Sequence, residues 1–226
     1  MSRLKSAGFS FGASPISDGL SNPNELLLTF DDGYQHLTDV LPPLIASFHF
    51  RPIIFVPTKF IGKTNSWDYS HLLRPTPHLD APSIRSLSAL GVEFGSHSHT
   101  HCDLTRCDKA ALTSELLRSK AILEDVLGKP VCCISYPFGR YNGRVIQAVA
   151  EAGYTRGFTM RFPESSDTAL SMGRYAVYGY DSTSSVMRKL SRGPFYNIEK
   201  WKARLTNKLS GGTVILDRVV RRERSE

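Results

Sequence analysis

Three short clusters hold the side chains of this sequence best suited to chemistry. The first, Asp31-Asp32-Gly33, places two carboxylates side by side after the apolar run Leu26–Phe30. Adjacent carboxylates repel unless a cation, a proton or hydrogen bonds offset the charge. A divalent cation on one of them would do so and leave the other as a base, and Gly33 allows the sharp turn that brings backbone up to a ligand. The same three residues also make an ordinary surface turn. The second cluster, His97-Ser-His99-Thr-His101, gathers three of the seven histidines into five residues, a density that unrelated packing roles do not explain. On an extended segment all three would face one way, whereas on a helical turn His97 and His101 would share a face. Two imidazoles with the Asp32 carboxylate make a three-ligand set that leaves a coordination position for water. The third cluster is Tyr136-Pro137-Phe138-Gly139-Arg140, followed by Tyr141. Its aromatic faces suit a sugar ring, and its glycine-flanked turn can aim backbone N–H groups at an oxyanion. Pro-Phe-Gly is equally an ordinary turn over a buried ring.

Each cluster follows a strand-like run, and parallel α/β folds collect reactive groups at the C-terminal ends of strands. Leu26–Phe30 reads as a buried strand, and His36–Phe48 as a helix weakened by Pro42 and Pro43. Pro52–Val56 is a second strand, leading into a loop through Trp67. Asp80 and Pro82 mark a helix start and Gly91 its stop, after which Val92–Gly95 runs into the histidines. Leu112, Leu116, Leu123 and Leu127 recur at helical spacing. The spacing predicts a long helix over Lys109–Leu127, capped by Asp108 and ended by Gly128-Lys-Pro130. Val131–Tyr136, Tyr154–Thr159, Tyr175–Tyr178 and Thr213–Leu216 read as strands, with helices at Gly143–Ala152, Ser184–Leu190 and Ile198–Leu209. This alternation predicts a parallel α/β sheet or barrel. Without repeats or long linkers, residues 25–226 read as a single domain behind an extension over residues 1–24.

A chain of 226 residues can bury a substantial core. Its 41% hydrophobic and 22% charged residues exclude the disordered and fibrous classes. No apolar run is long enough to cross a bilayer, and the N-terminus has no signal-peptide stretch, so the sequence reads as a soluble cytoplasmic protein. The cysteines agree: Cys132 and Cys133 should point to opposite faces of a strand, which disfavours a bond between them and suits a reducing compartment. Cys102, beside the histidines, reads as a small loop filler rather than a metal ligand or reactive thiol, since nothing nearby lowers its pKa. The net charge of +7 lies in residues 185–226, which carry 11 basic and 4 acidic side chains. The basic end, Arg218-Val-Val-Arg221-Arg222-Glu-Arg224, suits either a solvated helix face or contact with an anionic membrane surface. No nucleic-acid-binding motif accompanies it, so no nucleic-acid partner is expected.

Taken together and in this order, the clusters resemble the NodB-homology polysaccharide deacetylases, carbohydrate esterase family 4. Thr29-Phe-Asp-Asp-Gly33 is similar to the family's first motif. Gly95-Ser-His97-Ser-His-Thr-His101-Cys-Asp-Leu104 resembles the second, and Ser135-Tyr-Pro-Phe-Gly139 the third. The likeness covers about residues 25 to 180, including Phe55-Val-Pro-Thr-Lys-Phe-Ile-Gly-Lys-Thr-Asn-Ser-Trp67. It implies a distorted or incomplete (β/α) barrel and a hydrolase that removes N-acetyl, less often O-acetyl, groups from a polysaccharide, oligosaccharide or lipid-linked sugar. It further implies that Asp32, His97 and His101 hold a divalent metal, usually zinc, with cobalt or another divalent ion as a substitute. Asp31 would be the general base and the backbone N–H of Phe138 an oxyanion donor. Tyr136, Pro137, Gly139, Arg140 and Trp67 would meet the glycan. His99 matches no family ligand.

Three departures qualify that picture. Ser135 stands where many members place an arginine that pairs with the base, so Arg174, in Met172-Gly-Arg-Tyr175, is the candidate partner for Asp31, with Arg140 second. No histidine follows His101, although the family's last strand, resembling Gly212–Asp217 here, usually presents one as general acid; Asp31 itself or Asp217 would have to serve. Residues 1–24 are short for the strand and helix that usually precede the first motif, which reads as a shortened start. Two other readings use the same residues: a small-molecule amidohydrolase of the same fold, and a weak or inactive relative that binds metal and glycan.

Overall fold

The computed structural model describes residues 1–12, 24–64, 76–191, 196–198 and 200–201. Helix α1 (Ser2–Ser6) and strand β1 (Ser10–Phe11) open the chain, and β1 pairs in parallel with β2 (Glu25–Leu26). The main sheet is β3 (Thr29–Phe30), β4 (Ile53–Val56), β5 (Glu93–Ser96), β6 (Cys133–Ser135) and β7 (Arg156–Phe158), parallel throughout and in sequence order. Helices α2 (Leu37–Phe48), α3 (Ala81–Ala89), α4 (Lys109–Leu127) and α5 (Gly143–Glu151) fill the crossovers, and α6 (Thr183–Ser191) follows β7. The sheet curls into a half-barrel, in keeping with the parallel α/β sheet or barrel that the alternation of strand and helix predicts. Because each crossover returns the chain to the neighbouring position, all five strands end at the same rim.

Burial on both faces explains the unbroken apolar run of β4. Ile54 and Val56 join the layer packed under the helices, while Ile53 and Phe55 face inward with Cys133 and Phe158. Gly95 of β5 makes that inner face possible, since a Cβ there would lie 2.5 Å from the Phe55 ring. Helix α4 starts where Asp108 accepts a hydrogen bond from Ala111 N–H at 2.8 Å, a cap worth about 1 kcal/mol, and it ends at Gly128 with φ +66°. Its Leu112, Leu116 and Leu123 are buried against the sheet. Helix α2 runs through Pro42 and Pro43 although both lack an amide donor; burial of Leu37 and Leu41 offsets the loss.

Two expectations need correction. Leu26–Phe30 is not one buried strand: Glu25-Leu26 belongs to the small sheet and Thr29-Phe30 to the large one, and every residue there is only partly buried. The reason is that, among the described residues, β3 pairs only with β4, while Glu25-Leu26 pairs with β1. Tyr175–Tyr178 is not a strand either. The chain touches β7 through the Phe158–Met172 bridge and through Arg174 N–H to Arg161 O, and then reaches Pro163, which has no N–H to continue a ladder. Thr213–Leu216, all but the first residues of Ile198–Leu209, the basic end and Trp67 lie outside the described residues. All four cysteines are free, and among the described residues no helix is long and apolar enough to cross a membrane.

Candidate active site

The three polar clusters meet at the rim where β3, β5 and β6 end. Asp32 follows β3 in a left-handed conformation, φ 69°, and Gly33 continues the turn at φ 58°, where a Cβ would press on the Val56 side chain at 3.0 Å. His97 extends from β5. The chain then turns at Ser98 (φ 63°) and His101 (φ 58°), so the histidine segment is neither the extended row nor the helical turn that its spacing allows. Glu115 of α4 holds this loop by accepting from His99 N–H, Thr100 N–H and the Thr100 hydroxyl at 2.8–2.9 Å. Ser98 Oγ accepts from His101 N–H at 3.0 Å. The result brings Asp32, His97 and His101 together with their ligand atoms within 4.8 Å of one another. His99 turns away: its Nδ1 lies 2.8 Å from Thr58 Oγ1.

The local chemistry of that trio fits a cation. His97 Nδ1 lies 2.8 Å from Ser135 O, and a carbonyl only accepts, so Nδ1 carries the proton. Burial lowers the His97 pKa more than its acidic neighbours raise it, which favours the neutral ring. Its Nε2 lone pair then points toward Asp32 Oδ1, 3.6 Å away, while His101 Nε2 sits 3.4 Å from the same oxygen. Asp32 Oδ1 is buried and makes no hydrogen bond of good geometry. Burial alone would raise the Asp32 pKa, but the His101 imidazole beside it outweighs that and favours the carboxylate. A carboxylate oxygen facing an imidazole lone pair is an arrangement that a positive ion between them stabilises.

Asp31, one residue away, is held by entirely different means. Arg174 Nη1 donates to Asp31 Oδ1 and Nη2 to Oδ2, both at 2.8 Å, a bidentate pair. The same guanidinium donates to Thr29 Oγ1 at 2.9 Å, Ser135 Oγ at 2.8 Å and Thr159 O at 3.1 Å, and it lies over the rings of Phe55 and Phe158. Ser135 Oγ in turn donates to Asp31 Oδ2 at 3.3 Å. Burial opposes ionisation of Asp31, yet Arg174 and His97 hold its carboxyl well below the usual carboxylate range. Arg174 thus stands where the sequence reading placed it, on an irregular segment instead of a late strand. Thr29 and Thr159 were missed, because nothing near them in sequence indicates that they accept from an arginine far along the chain.

The third cluster forms a tight turn, Pro137–Gly139, after β6. Phe138 adopts φ 58°, an unusual conformation for a side-chain-bearing residue, and its ring stands edge-on to His101 at 4.8 Å. The turn's own bonds use Gly139 N–H to Tyr136 O and Arg140 N–H to Pro137 O. Tyr136, expected to meet the glycan, is instead fully buried, with its hydroxyl donating to Leu170 O at 2.7 Å and its ring stacked under Tyr141. Pro137 is buried as well. Arg140 pairs with Asp103 at 2.8 Å and not with Asp31. Cys102 Sγ lies 3.5 Å from Cys107 Sγ, outside the metal trio, and burial pushes both thiol pKa values up, in keeping with a filler role.

Known proteins resemble this chain to different extents. The Bacillus subtilis protein YxkH, whose name assigns it to the polysaccharide deacetylases, is 28% identical over 153 residues, 68% of this chain and 50% of YxkH. A chitin deacetylase from a Pestalotiopsis species is 27% identical over 132 residues, 58% of this chain and 40% of its own. The chain therefore spans about half the length or less of these curated relatives. In three dimensions, the Streptococcus pyogenes deacetylase PplD in complex with acetate superposes with a TM-score of 0.69 at 22% identity, covering 84% of this chain and 83% of PplD. A polysaccharide deacetylase from Bacillus cereus gives 0.67 at 20% identity, covering 84% and 59%. The family model described as polysaccharide deacetylase matches residues 19–157, a stretch containing Asp31, Asp32, both histidines of the trio and the Pro137–Gly139 turn. With more than half its length matched, and the half-barrel shared with solved members, the chain belongs to the polysaccharide deacetylase family.

Proposed function

We propose that this protein is a metal-dependent hydrolase that removes N-acetyl groups, with O-acetyl groups as lesser substrates, from an acetylated glycan or glycan precursor. The observation that carries the reading is the division of labour between adjacent carboxylates, Asp32 among imidazole nitrogens and Asp31 in a bidentate pair with Arg174. Asp32, His97 and His101 would hold the ion, most favourably zinc given two nitrogen ligands and one oxygen. Such an ion, when bound, polarises an amide carbonyl and makes a neighbouring water more acidic.

The remaining work falls to the chain. Asp31, kept ionised by Arg174, accepts the proton of the attacking water at its carboxylate. Phe138 N–H supports the developing oxyanion, in a turn whose other donors are engaged or, at Pro137, absent. Expulsion of the amine needs a proton. No histidine follows His101 in the sequence, so Asp31 returns the proton that it took. A carboxyl held this acidic gives a proton up readily, which suits that second task better than the first. Trp67 and the partly buried Tyr141 are the candidate sugar contacts. A soluble cytoplasmic setting and contact of the basic end with anionic lipid belong to the same reading. The contact predicts binding to anionic vesicles at low salt and none to neutral ones.

The test is acetate release from N-acetylglucosamine oligomers by metal-stripped protein, with zinc or cobalt restored and Asp31→Asn as control. Metal-dependent release that the substitution abolishes is expected. Tight metal binding with no release from any acetylated sugar overturns the reading in favour of a small-molecule amide substrate or a silent relative.

A further inference from the structure

Asp103 and Arg140 join the two loops on which the proposed chemistry depends. Asp103 lies two residues after His101, and Arg140 two residues after Phe138. Arg140 Nη1 donates to Asp103 Oδ2 at 2.8 Å, with the Asp103 side chain only 3% exposed. The carboxylate is otherwise saturated locally: Thr105 donates to Oδ1 through both its N–H, at 3.1 Å, and its hydroxyl, at 2.6 Å, and Arg106 Nε approaches Oδ2 at 3.4 Å. The pair thereby ties the loop that carries His101 to the turn that carries Phe138, two residues whose rings stand edge-on at 4.8 Å and whose backbones both have φ 58°. Left-handed backbone at such residues persists only where surroundings over-determine it. Gly139 packs closely on Met160, where a Cβ would lie 2.8 Å from the Met160 nitrogen, so the turn has no slack on that side.

We propose that Asp103–Arg140 is a positioning pair that sets the spacing between His101 and the Phe138 N–H, and that Arg140 is not a substrate contact. This rests on the deacetylase reading, in which the ion that His101 helps to hold and the Phe138 N–H would act on one carbonyl oxygen. Donors to a developing oxyanion must be placed within about half an ångström, and a misplacement of about 1 Å costs on the order of a hundredfold in rate. Loss of the pair lets the Pro137–Gly139 turn shift relative to the histidine loop. The ligands of the ion, set by Asp32, His97 and the Glu115-braced loop, stay in place.

The experiment compares wild type with Arg140→Met, Arg140→Lys, Asp103→Asn and the Asp103→Asn/Arg140→Met double variant. It measures kcat and KM for acetate release from N-acetylglucosamine oligomers, zinc affinity by chelator competition, acetate affinity of the zinc-loaded protein by calorimetry, and Tm. The expected result is a kcat lower by about tenfold to a hundredfold in Arg140→Met and Asp103→Asn, with KM and zinc affinity close to wild type and acetate binding weakened. Arg140→Lys recovers part of the loss, and the double variant is no worse than either single one. Arg106→Ala, which removes the longer contact to the same carboxylate, leaves kcat unchanged. A raised KM with kcat intact overturns the proposal in favour of substrate contact. Additive losses in the double variant, or a fall in Tm with kcat retained, overturn it in favour of independent or purely structural roles. If wild type releases no acetate, the deacetylase reading fails separately, and acetate affinity decides: unchanged binding in Arg140→Met overturns the positioning role, and weakened binding with zinc affinity kept supports it.

Discussion

Asp31 and Asp32 are neighbours in the chain, yet the two sides of the site they anchor are built in opposite ways. The Asp32 side gathers His97 and His101 from one loop, braced by Glu115 from the helix that follows. The Asp31 side reaches across 143 residues to Arg174 and collects Thr29, Ser135 and Thr159 around one guanidinium. Local construction tolerates change elsewhere in the molecule, since the loop carries its own supports. Long-range construction makes Asp31 depend on whether the segment after β7 is in place. The inner face of the sheet supplies the floor for that arrangement, with the Phe55 and Phe158 rings beneath Arg174.

The comparison breaks most severely if the Asp32 side fails. Outer-shell partners of a metal ligand typically cost about ten- to a hundredfold in affinity. Removing a ligand outright, as in His101→Ala, is therefore expected to weaken zinc binding by more than about a hundredfold and to take acetate release to background. Chelator competition and acetate assays check both. Asp31→Asn is the complement. General base contributions run to about 10²–10⁴-fold, so release should fall by that much while zinc affinity stays within a few-fold of wild type. If Asp31→Asn loses the metal as well, the two carboxylates do not divide the work as their partners imply.

That division was only half legible in the sequence. Asp31, Asp32, His97 and His101 lie in compact motifs, and the side chains that could chelate or act as a base are adjacent there. Spacing left open how His97 and His101 would meet, because the answer is the left-handed backbone at Ser98 and His101, which no residue type there announces. Arg174 is legible only through the gap that Ser135 leaves in the third motif and the resemblance to a subgroup with an arginine in a similar late segment; its acceptors Thr29 and Thr159 are unremarkable until the fold brings them together. Tyr136 misled for a related reason. An aromatic at a strand end looks like a sugar platform, but Gly157 on β7 leaves room for its hydroxyl, and the ring is drawn inward to Leu170 O. The strands fared similarly: the apolar run of β4 was plain, whereas the split between β2 and β3 depends on which partner each half finds.

A middle-sized effect tests the long-range side directly. Arg174→Met removes every hydrogen bond to the guanidinium and leaves Asp31 buried against the Ser135 hydroxyl alone. Charge-assisted hydrogen bonds contribute about 1.5–3 kcal/mol each, so release should fall by roughly ten- to a few hundredfold, since about 1.4 kcal/mol is tenfold in rate. Zinc affinity should be unaffected. Adding Ser135→Arg to that variant delivers a guanidinium from β6, the position where the resembling family commonly carries it, into space that Arg174 vacated. Recovery of a substantial part of the rate would show that the base needs an arginine and not this particular segment. No recovery, with the fold intact by circular dichroism, would show that the segment after β7 contributes through more than Arg174.

The smallest effect is the most discriminating for how the base is oriented. Ser135 accepts from Arg174 at 2.8 Å and donates to Asp31 at 3.3 Å, so it relays between two groups already joined by a bidentate pair. If it only fills the space left by a missing arginine, Ser135→Ala changes nothing, because the alanine fits the same fully buried position. If it fixes the Asp31 carboxylate against rotation, the loss is that of one hydrogen bond, about 0.5–1.5 kcal/mol, or roughly two- to tenfold in kcat. The relay predicts that the size of the loss changes in the Arg174→Met background, where the hydroxyl still donates to Asp31 but has no guanidinium to receive from. A double-mutant cycle on kcat separates the two cases: coupling places Ser135 in the arginine network, and strict additivity removes it.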